Sequence, residues 1–343
     1  GDIFDILELD RIKAPVDFAV TKTMGKTVPV GLILARALGL RPLLKLLKVK
    51  YRTVKTRTQK NLGPHEYYIT FADYVFIFDR RDIKASLILA AFQSCEKVSR
   101  QYNASVYDHK EVYDNLFDVF GCNAAFMREL DLLESSFVDP ITKEVLTEMK
   151  EPLTWLGLLV RSCEMLQTYD HPNIQDLTQQ QLRGFERFPG FVYKEMIKSV
   201  RAFRNKNVSG RSKVEMSPFS VWQAIRSDPT VSTSQDINPI QNLKSHEAIT
   251  FVGEGGRSKE AFTKDSRAYD PTDAGAIAEA SVDSGDVGIN IFMCANPKID
   301  NIYGMKSKDP VEGTAGNYLS TSLLLAAGSQ HDDQIRSANR VIC

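Results

Sequence analysis

Nothing in the cysteine pattern of this sequence supports a zinc site or a disulfide framework. Its five cysteines, Cys95, Cys122, Cys163, Cys294 and Cys343, are scattered, with no CxxC pair. Zinc sites and secreted disulfide scaffolds need such spacing, so a reducing cytoplasm is the default. Long hydrophobic runs are also missing. The most apolar early stretch, Val28 to Leu40, is broken by Arg36 and falls short of the ~20 residues that cross a bilayer. Neither sign of charge is in excess, with 43 Lys and Arg against 43 Asp and Glu, so mean charge selects no partner. No signal peptide is visible, and the chain opens on Gly1 rather than Met; it stops at Cys343 inside what reads as an ordered segment. Those ends give the expectation of a fragment, or of one half of a divided gene product.

What is present is enough apolar material for a folded protein. Hydrophobic residues make up 43% of 343 positions, which argues against wholesale disorder and leaves room for two or three packed units. The charge is neutral in sum but not in distribution. From Arg41 to Lys60 there are eight basic side chains and no acidic one. From Ala268 to Pro297 there are five acids, Asp270, Asp273, Glu279, Asp283 and Asp286, and no Lys or Arg. Such separation suits a protein that touches a polyanion on one face and other proteins elsewhere. For the basic run, a solvated face of a β hairpin is an equal alternative to a DNA-facing patch.

Periodicity divides the chain. Residues 20–60 read as strand, helix and strand, with a turn at Gly25 and Lys26 and a helix Gly31–Leu40 ending at Arg41-Pro42. The amphipathic segment from Leu43 to Lys48 follows, with its lysines on one side. Tyr67 to Phe78 is strand-rich and Ile83–Gln101 returns to helical spacing. This mixed α and β unit covers 1–145. A helical connector over 146–206 holds two amphipathic helices, Leu153–Leu166 and Phe191–Arg204. The remainder, 207–343, starts helices at Ser217-Pro218 and Asn238-Pro239 and then turns rich in glycine and turn residues. Loops of that length inside a compact protein are uncommon unless they carry function. No internal repeat is visible.

Two clusters invite chemical readings. Gly253, Gly255 and Gly256 suggest a phosphate loop, but Gly256 is followed by Arg257-Ser258-Lys259-Glu260 and not by the Gly-Lys-Ser/Thr that such a loop requires. His331-Asp332-Asp333 places two carboxylates beside an imidazole, a set that holds a metal or, more often, forms a cap or salt-bridge cluster. Neither decides the function alone.

Their order and spacing are more specific. Ser234 to Pro239, followed by Ala248 to Gly256, resembles the rifampicin-pocket region of bacterial RNA polymerase β subunits. Arg257-Ser258-Lys259-Glu260, Arg267, Pro271-Thr272 and Gly275 fall where that family has its fork-loop sequence. Gln330 to Arg336 resembles its Glu-His-Asp-Asp-Ala-Asn-Arg block, and Arg183-Gly184-Phe185-Glu186 with the following helix resembles an upstream Arg…Gly-Glu helix pair. The likeness extends over 170–343, and truncation at both ends resembles the split β subunits of giant bacteriophages. The bacterial Pro-x-Glu-x-Pro-Glu-Gly run is replaced by Glu279 to Gly285, keeping only the glycine.

The resemblance implies an α+β fold. It would be a multi-unit fragment of an RNA polymerase β subunit, with a protrusion- or lobe-like part over 1–145 and a fork part over 207–343. It also implies a transcribing assembly in which the catalytic Mg ions are held by aspartates of a partner β′-like subunit. That subunit's Asn-Ala-Asp-Phe-Asp-Gly-Asp loop is not in this sequence, so the isolated chain is expected to be inactive. The resemblance matches Arg336 to the arginine that contacts the nucleoside triphosphate. A guanidinium suits that task because its planar fork binds phosphate oxygens in pairs. Asp333 would orient it, and Lys259, Arg267 and Arg257 would meet template or RNA phosphates. Implied partners are β′-like subunits, the remaining β fragment, DNA template, RNA and nucleoside triphosphates, with no membrane. The implied setting is the cytoplasm of an infected bacterium or the virion.

At the drug-pocket positions where the family carries a His and an Arg pair, this chain has Ser245, Glu247 and Ala248, which predicts rifampicin resistance. Two competing readings are a noncatalytic nucleic-acid-binding or scaffold protein of a phage particle, and a standalone nucleotide-binding enzyme using the glycine cluster.

Overall fold

The computed structural model describes residues 9–12, 16–168, 176–206, 213–228, 230–233, 237–253, 256, 258–281, 285–328 and 331. Asp333, Arg336 and Arg257 lie outside these residues. Among the described residues the chain is a mixed α and β protein with three three-stranded antiparallel sheets. It divides into two compact units between His171 and Pro172, a point inside the stretch read as the helical connector.

The N-terminal unit opens with an antiparallel meander of β1 (Leu9–Ile12), β2 (Phe18–Thr23) and β3 (Lys26–Pro29). Met24 and Gly25 both take positive φ, the backbone of a tight two-residue hairpin. Helix α1 (Val30–Leu38) buries nearly every residue. The helix expected to end at Arg41-Pro42 stops earlier, because Gly39 adopts φ +87°. A second helix, α2 (Leu40–Leu47), starts there with Pro42 in its first turn, where a missing N–H costs nothing. Leu40, Leu43, Leu44 and Leu47 face inward from α2, which leaves Arg41, Lys45 and Leu46 exposed on its outer side.

The second sheet has the order β4 (Tyr51–Lys55), β6 (Tyr74–Asp79), β5 (Glu66–Thr70). β6 is central, with Val75, Ile77 and Phe78 buried. β4 is an edge strand on which only Val54 is partly covered. Helices α4 (Ala91–Ser94) and α5 (Glu96–Ser99) pack on β5, while α3 (Ile83–Leu89) packs on β2 of the first sheet and α6 (Lys110–Asp118) packs on α1 and α5. Phe71, Phe92, Tyr107 and Tyr113 meet edge to face, and burying each such ring contributes roughly 1.5–3 kcal/mol. Helices α7 (Ala124–Ser136), α8 (Pro140–Glu148) and α9 (Trp155–Thr168) complete the unit. Arg36, 7% exposed, bonds Asp131 of α7 at 2.7 Å.

The C-terminal unit has a smaller core. Leu177, Ala276, Ile277 and Ile291 form it, with Leu182, Ile249 and Phe251 packed around. Its sheet has the order β7 (Ala248–Thr250), β9 (Asn290–Met293), β8 (Ile277–Ser281). Helices α10 (Arg187–Lys206), α11 (Pro218–Ser227), α12 (Pro239–Glu247) and α13 (Thr321–Leu325) belong to this unit. Neither α11 nor α12 has a buried residue.

Candidate nucleic-acid interface

Two cationic surfaces emerge, one in each unit. The first is the basic run of the N-terminal unit. Three of its eight cations are engaged: Arg41 pairs with Asp108 at 3.3 Å, Arg52 with Glu66 at 2.8 Å, and Lys60 sits 3.5 Å over the Tyr68 ring. Lys45, Lys48, Lys50, Lys55 and Arg57 have no acidic partner among the described residues, and all five side chains are exposed. They follow one another from α2 through β4 into the loop beyond it. Tyr51, half exposed, stacks on Phe76 at 5.2 Å, adding an aromatic face beside the charges. Unpaired exposed cations keep full freedom to meet phosphates, and such contacts position a polyanion without reading sequence.

The second surface is the fork-like segment of the C-terminal unit. Lys259 lies in a short 3₁₀ turn, Lys259–Ala261, and Arg267 in another, Asp265–Arg267. Both converge on the turn at 285–288. The Lys259 ammonium pairs with Asp286 at 2.5 Å while remaining 57% exposed. Arg267 donates to the Gly285 carbonyl at 2.8 Å. Gly288 has φ +70°, and a Cβ there would stand 2.3 Å from the Arg267 carbonyl, so only glycine lets the two segments approach this closely. An exposed ion pair is worth about 0–1 kcal/mol, so a phosphate competes readily with Asp286 for Lys259.

Other motifs of this segment are committed to the fold. Asp270 and Asp273 form a capping box around Pro271-Thr272. The Thr272 hydroxyl accepts from the Leu177 N–H at 3.0 Å and donates to Asp270 at 2.7 Å. Its carbonyl accepts from the Lys306 ammonium. Burial holds the Lys306 amine below its ordinary value, opposed by the nearby Asp273, Asp176 and Asp270 carboxylates. That ammonium neutralises the carboxylates where a cation would otherwise sit. Among the described residues no group of three His, Cys, Asp or Glu is placed to hold a metal. Burial pushes the thiols of Cys95, Cys163 and Cys294 up to about 12, which leaves them inert as nucleophiles.

Gly253 and Gly256 of the glycine cluster are bonded to one another. Gly253 has φ +128°, the Gly256 N–H donates to the Gly253 carbonyl at 3.0 Å, and a Cβ on Gly256 would stand 2.3 Å from the Phe251 carbonyl. Glu247, one of the three residues read at the drug-pocket positions, is engaged: its oxygens accept from the N–H groups of Thr321 at 2.9 Å and Ser322 at 3.2 Å, at the start of α13. The sequence offers no local sign of that pairing, since 74 residues separate the partners. His331 lies beyond α13, its N–H bonded to the Gly328 carbonyl at 2.9 Å.

The mixed α and β fold thus presents two exposed cationic surfaces, one aromatic-flanked and one on a glycine-dependent turn, of a charge that suits a polyanionic backbone. The family model described as bacteriophage RNA polymerase matches residues 3–260, about three quarters of the chain. The chain belongs to the bacteriophage RNA polymerase family, and its function is related to DNA-directed RNA synthesis, a nucleotidyl transfer. The match includes the basic run and Lys259 and ends before Arg267. The curated proteins offer no match to the chain. No helix among the described residues is long and apolar enough to cross a membrane.

Proposed function

We propose that the chain is one subunit of a multisubunit DNA-directed RNA polymerase, a β-type fragment working with separate β′-like chains and the remaining β fragment. The observation that carries this reading is the convergence of Lys259 and Arg267 on the 285–288 turn, in a family of phage RNA polymerases. Those cations hold template or RNA phosphates, and the α2–β4 patch holds DNA. Arg336 reaches the triphosphate of the incoming nucleotide, with Asp333 orienting it. The Mg ions belong to the aspartates of a β′-like partner, and the isolated chain makes no RNA.

The test is to purify the assembly from infected cells and identify the chains that remain with this one at high salt. A partner bearing the aspartate loop is expected. In that assembly Arg336→Ala raises the nucleotide KM about tenfold or more, as for loss of a charge-assisted phosphate contact, and leaves promoter binding unchanged. Absence of any such partner, or RNA synthesis by the isolated chain, overturns the reading.

A further inference from the structure

We propose that the α2–β4 patch holds an unpaired strand of DNA rather than a duplex, and that Tyr51 is the platform on which one of its bases stacks. The inference rests on the reading of that patch as a DNA contact. It names the form of DNA and the side chain that selects it.

Side chains alternate along a strand. The register therefore puts Tyr51, Thr53 and Lys55 of β4 on one face with Phe78, Phe76 and Tyr74 of β6. The same face continues on β5 as Tyr67 and Ile69, each 1% exposed. It runs from core at β5 to solvent at β4, where Tyr51 is 47% exposed; Tyr74 on β6 is 39% exposed. The Tyr51 ring lies nearly parallel to Phe76, at 9° and 5.2 Å between centroids, and leans on Phe78 at 5.9 Å. Phe78 in turn stacks on the buried Tyr67 at 5.4 Å. This ladder holds one side of the Tyr51 ring and leaves the other to solvent. A ring already held in place gives up little side-chain freedom when something covers it.

Charge is separated between the two faces. The acids of the three strands, Glu66 and Asp79, alternate onto the opposite face, where Glu66 takes Arg52 at 2.8 Å. Lys48 and Lys50 precede the exposed ring, and Lys55 and Arg57 follow it, all exposed and with no acidic partner among the described residues. At ~3.4 Å per residue, Lys55 lies roughly 14 Å along the strand from Tyr51. A phosphate backbone laid along β4 thus meets cations on both sides of the ring. A duplex satisfies those cations, but its bases are stacked on one another and leave Tyr51 uncovered. An unpaired strand brings phosphates and free base faces together, and a basic groove with aromatic platforms holds it without reading sequence.

The experiment uses the full chain and an oligo(dT) of about 16 nucleotides, in the range of known single-strand site sizes, with one thymine replaced by 5-iodouracil. Irradiation is expected to crosslink that base to Tyr51, located by mass spectrometry of the peptide. Tyr51→Ala is expected to raise the Kd for oligo(dT) roughly 10-fold, as for loss of one stacked base, and to leave the Kd for a duplex of the same length within about twofold. Tyr51→Phe keeps the ring and binds oligo(dT) as the wild type does. Tyr51→Leu keeps apolar packing on Phe76 and still loses the strand, with unchanged emission from the buried Trp155 as the control for folding. An abasic strand of the same length is held equally by wild type and Tyr51→Ala. Crosslinks that avoid Tyr51, equal losses for duplex and oligo(dT), or an abasic strand bound as tightly as oligo(dT) overturn the stacking role and leave the patch a DNA contact. Tighter binding of oligo(U) than of oligo(dT) overturns the DNA reading of the patch and this inference together. So does a Tyr51 crosslink lost in the assembly from infected cells because another chain covers the ring.

Discussion

Arg187 bonds Asp228 and, through its other terminal nitrogen, the Thr230 hydroxyl at 3.0 Å. Asp228 also accepts the Thr230 N–H at 2.8 Å. One buried carboxylate thereby ties the start of one helix to the end of the next, across 41 residues.

Removing the guanidinium strands a carboxylate that is 4% exposed. Arg187→Met is expected to cost the C-terminal unit about 3 kcal/mol, in line with breaking a buried pair from one side. Burial by itself raises the Asp228 carboxyl, but the Thr230 bonds and the Arg187 charge outweigh it, and the net shift is downward. A depressed carboxylate contributes stability above its unfolded value and loses it as pH falls through the folded one. Denaturant titrations should therefore show the wild type weakening below pH ~4, with that component absent from Asp228→Asn; identical acid profiles would contradict the role.

The Lys259–Asp286 pair gives opposite mutational signs. Asp286→Ala releases the ammonium and is expected to tighten binding of a short RNA–DNA hybrid by ~2- to 5-fold at low salt, while Lys259→Ala weakens it similarly. The double variant should behave like Lys259→Ala. Weaker binding by Asp286→Ala would remove Lys259 from the nucleic-acid surface.

For the N-terminal patch the measurable quantity is salt dependence. Each phosphate contact contributes about 0.9 to the slope of log K against log salt. Changing Lys50, Lys55 and Arg57 to Gln is expected to flatten the slope for duplex DNA by roughly 2–3, equally for unrelated sequences. An unchanged slope means those side chains are only solvated.

Gly288→Ala places a methyl against the Arg267 carbonyl in a backbone region that L residues avoid. A loss of more than ~2 kcal/mol is expected, with Arg267 and Lys259 no longer sharing a turn. Thermal melting combined with hybrid binding separates this from a silent change.

Rifampicin at micromolar concentration should leave RNA synthesis by the purified assembly intact. Because Glu247 is occupied by the Thr321 and Ser322 N–H groups, resistance would stem from missing His and Arg partners more than from a repelling charge. Glu247→Gln should accordingly leave resistance in place, while Glu247→Ala loosens α12 from α13 by ~1 kcal/mol, as for a lost helix cap. Drug inhibition of the Glu247→Gln assembly would reverse that assignment.

Local signals predicted local structure well. The Tyr67 to Phe78 alternation became β5 and β6 with a turn between them, and Ser217-Pro218 and Asn238-Pro239 did open helices. The early end assigned at Arg41-Pro42 failed because proline in a first turn looks, in sequence, the same as proline after a last one; Gly39 made the break. The excess of acids from Ala268 to Pro297 read as a surface for partners. Three of its five acids turned out to serve the fold: Asp270 and Asp273 in a capping box, Asp286 on Lys259.

Composition and periodicity determined the mixed α and β elements, the helix starts and the basic run, while the resemblance to polymerase β subunits implied the α+β class and nominated Lys259 and Arg267. The first group depends on neighbours a few residues apart, or on residue type alone. Only the tertiary structure decided which charges are spent. Arg52 finds Glu66, Lys306 is buried among carboxylates from two distant segments, and Glu247 reaches α13, whereas Lys45, Lys48, Lys50, Lys55 and Arg57 meet no acid among the described residues. Pairing is a matter of distance in space, and the chain brings together residues as far apart in sequence as Leu182 and Gly304, a separation at which spacing along the sequence carries no information about contact.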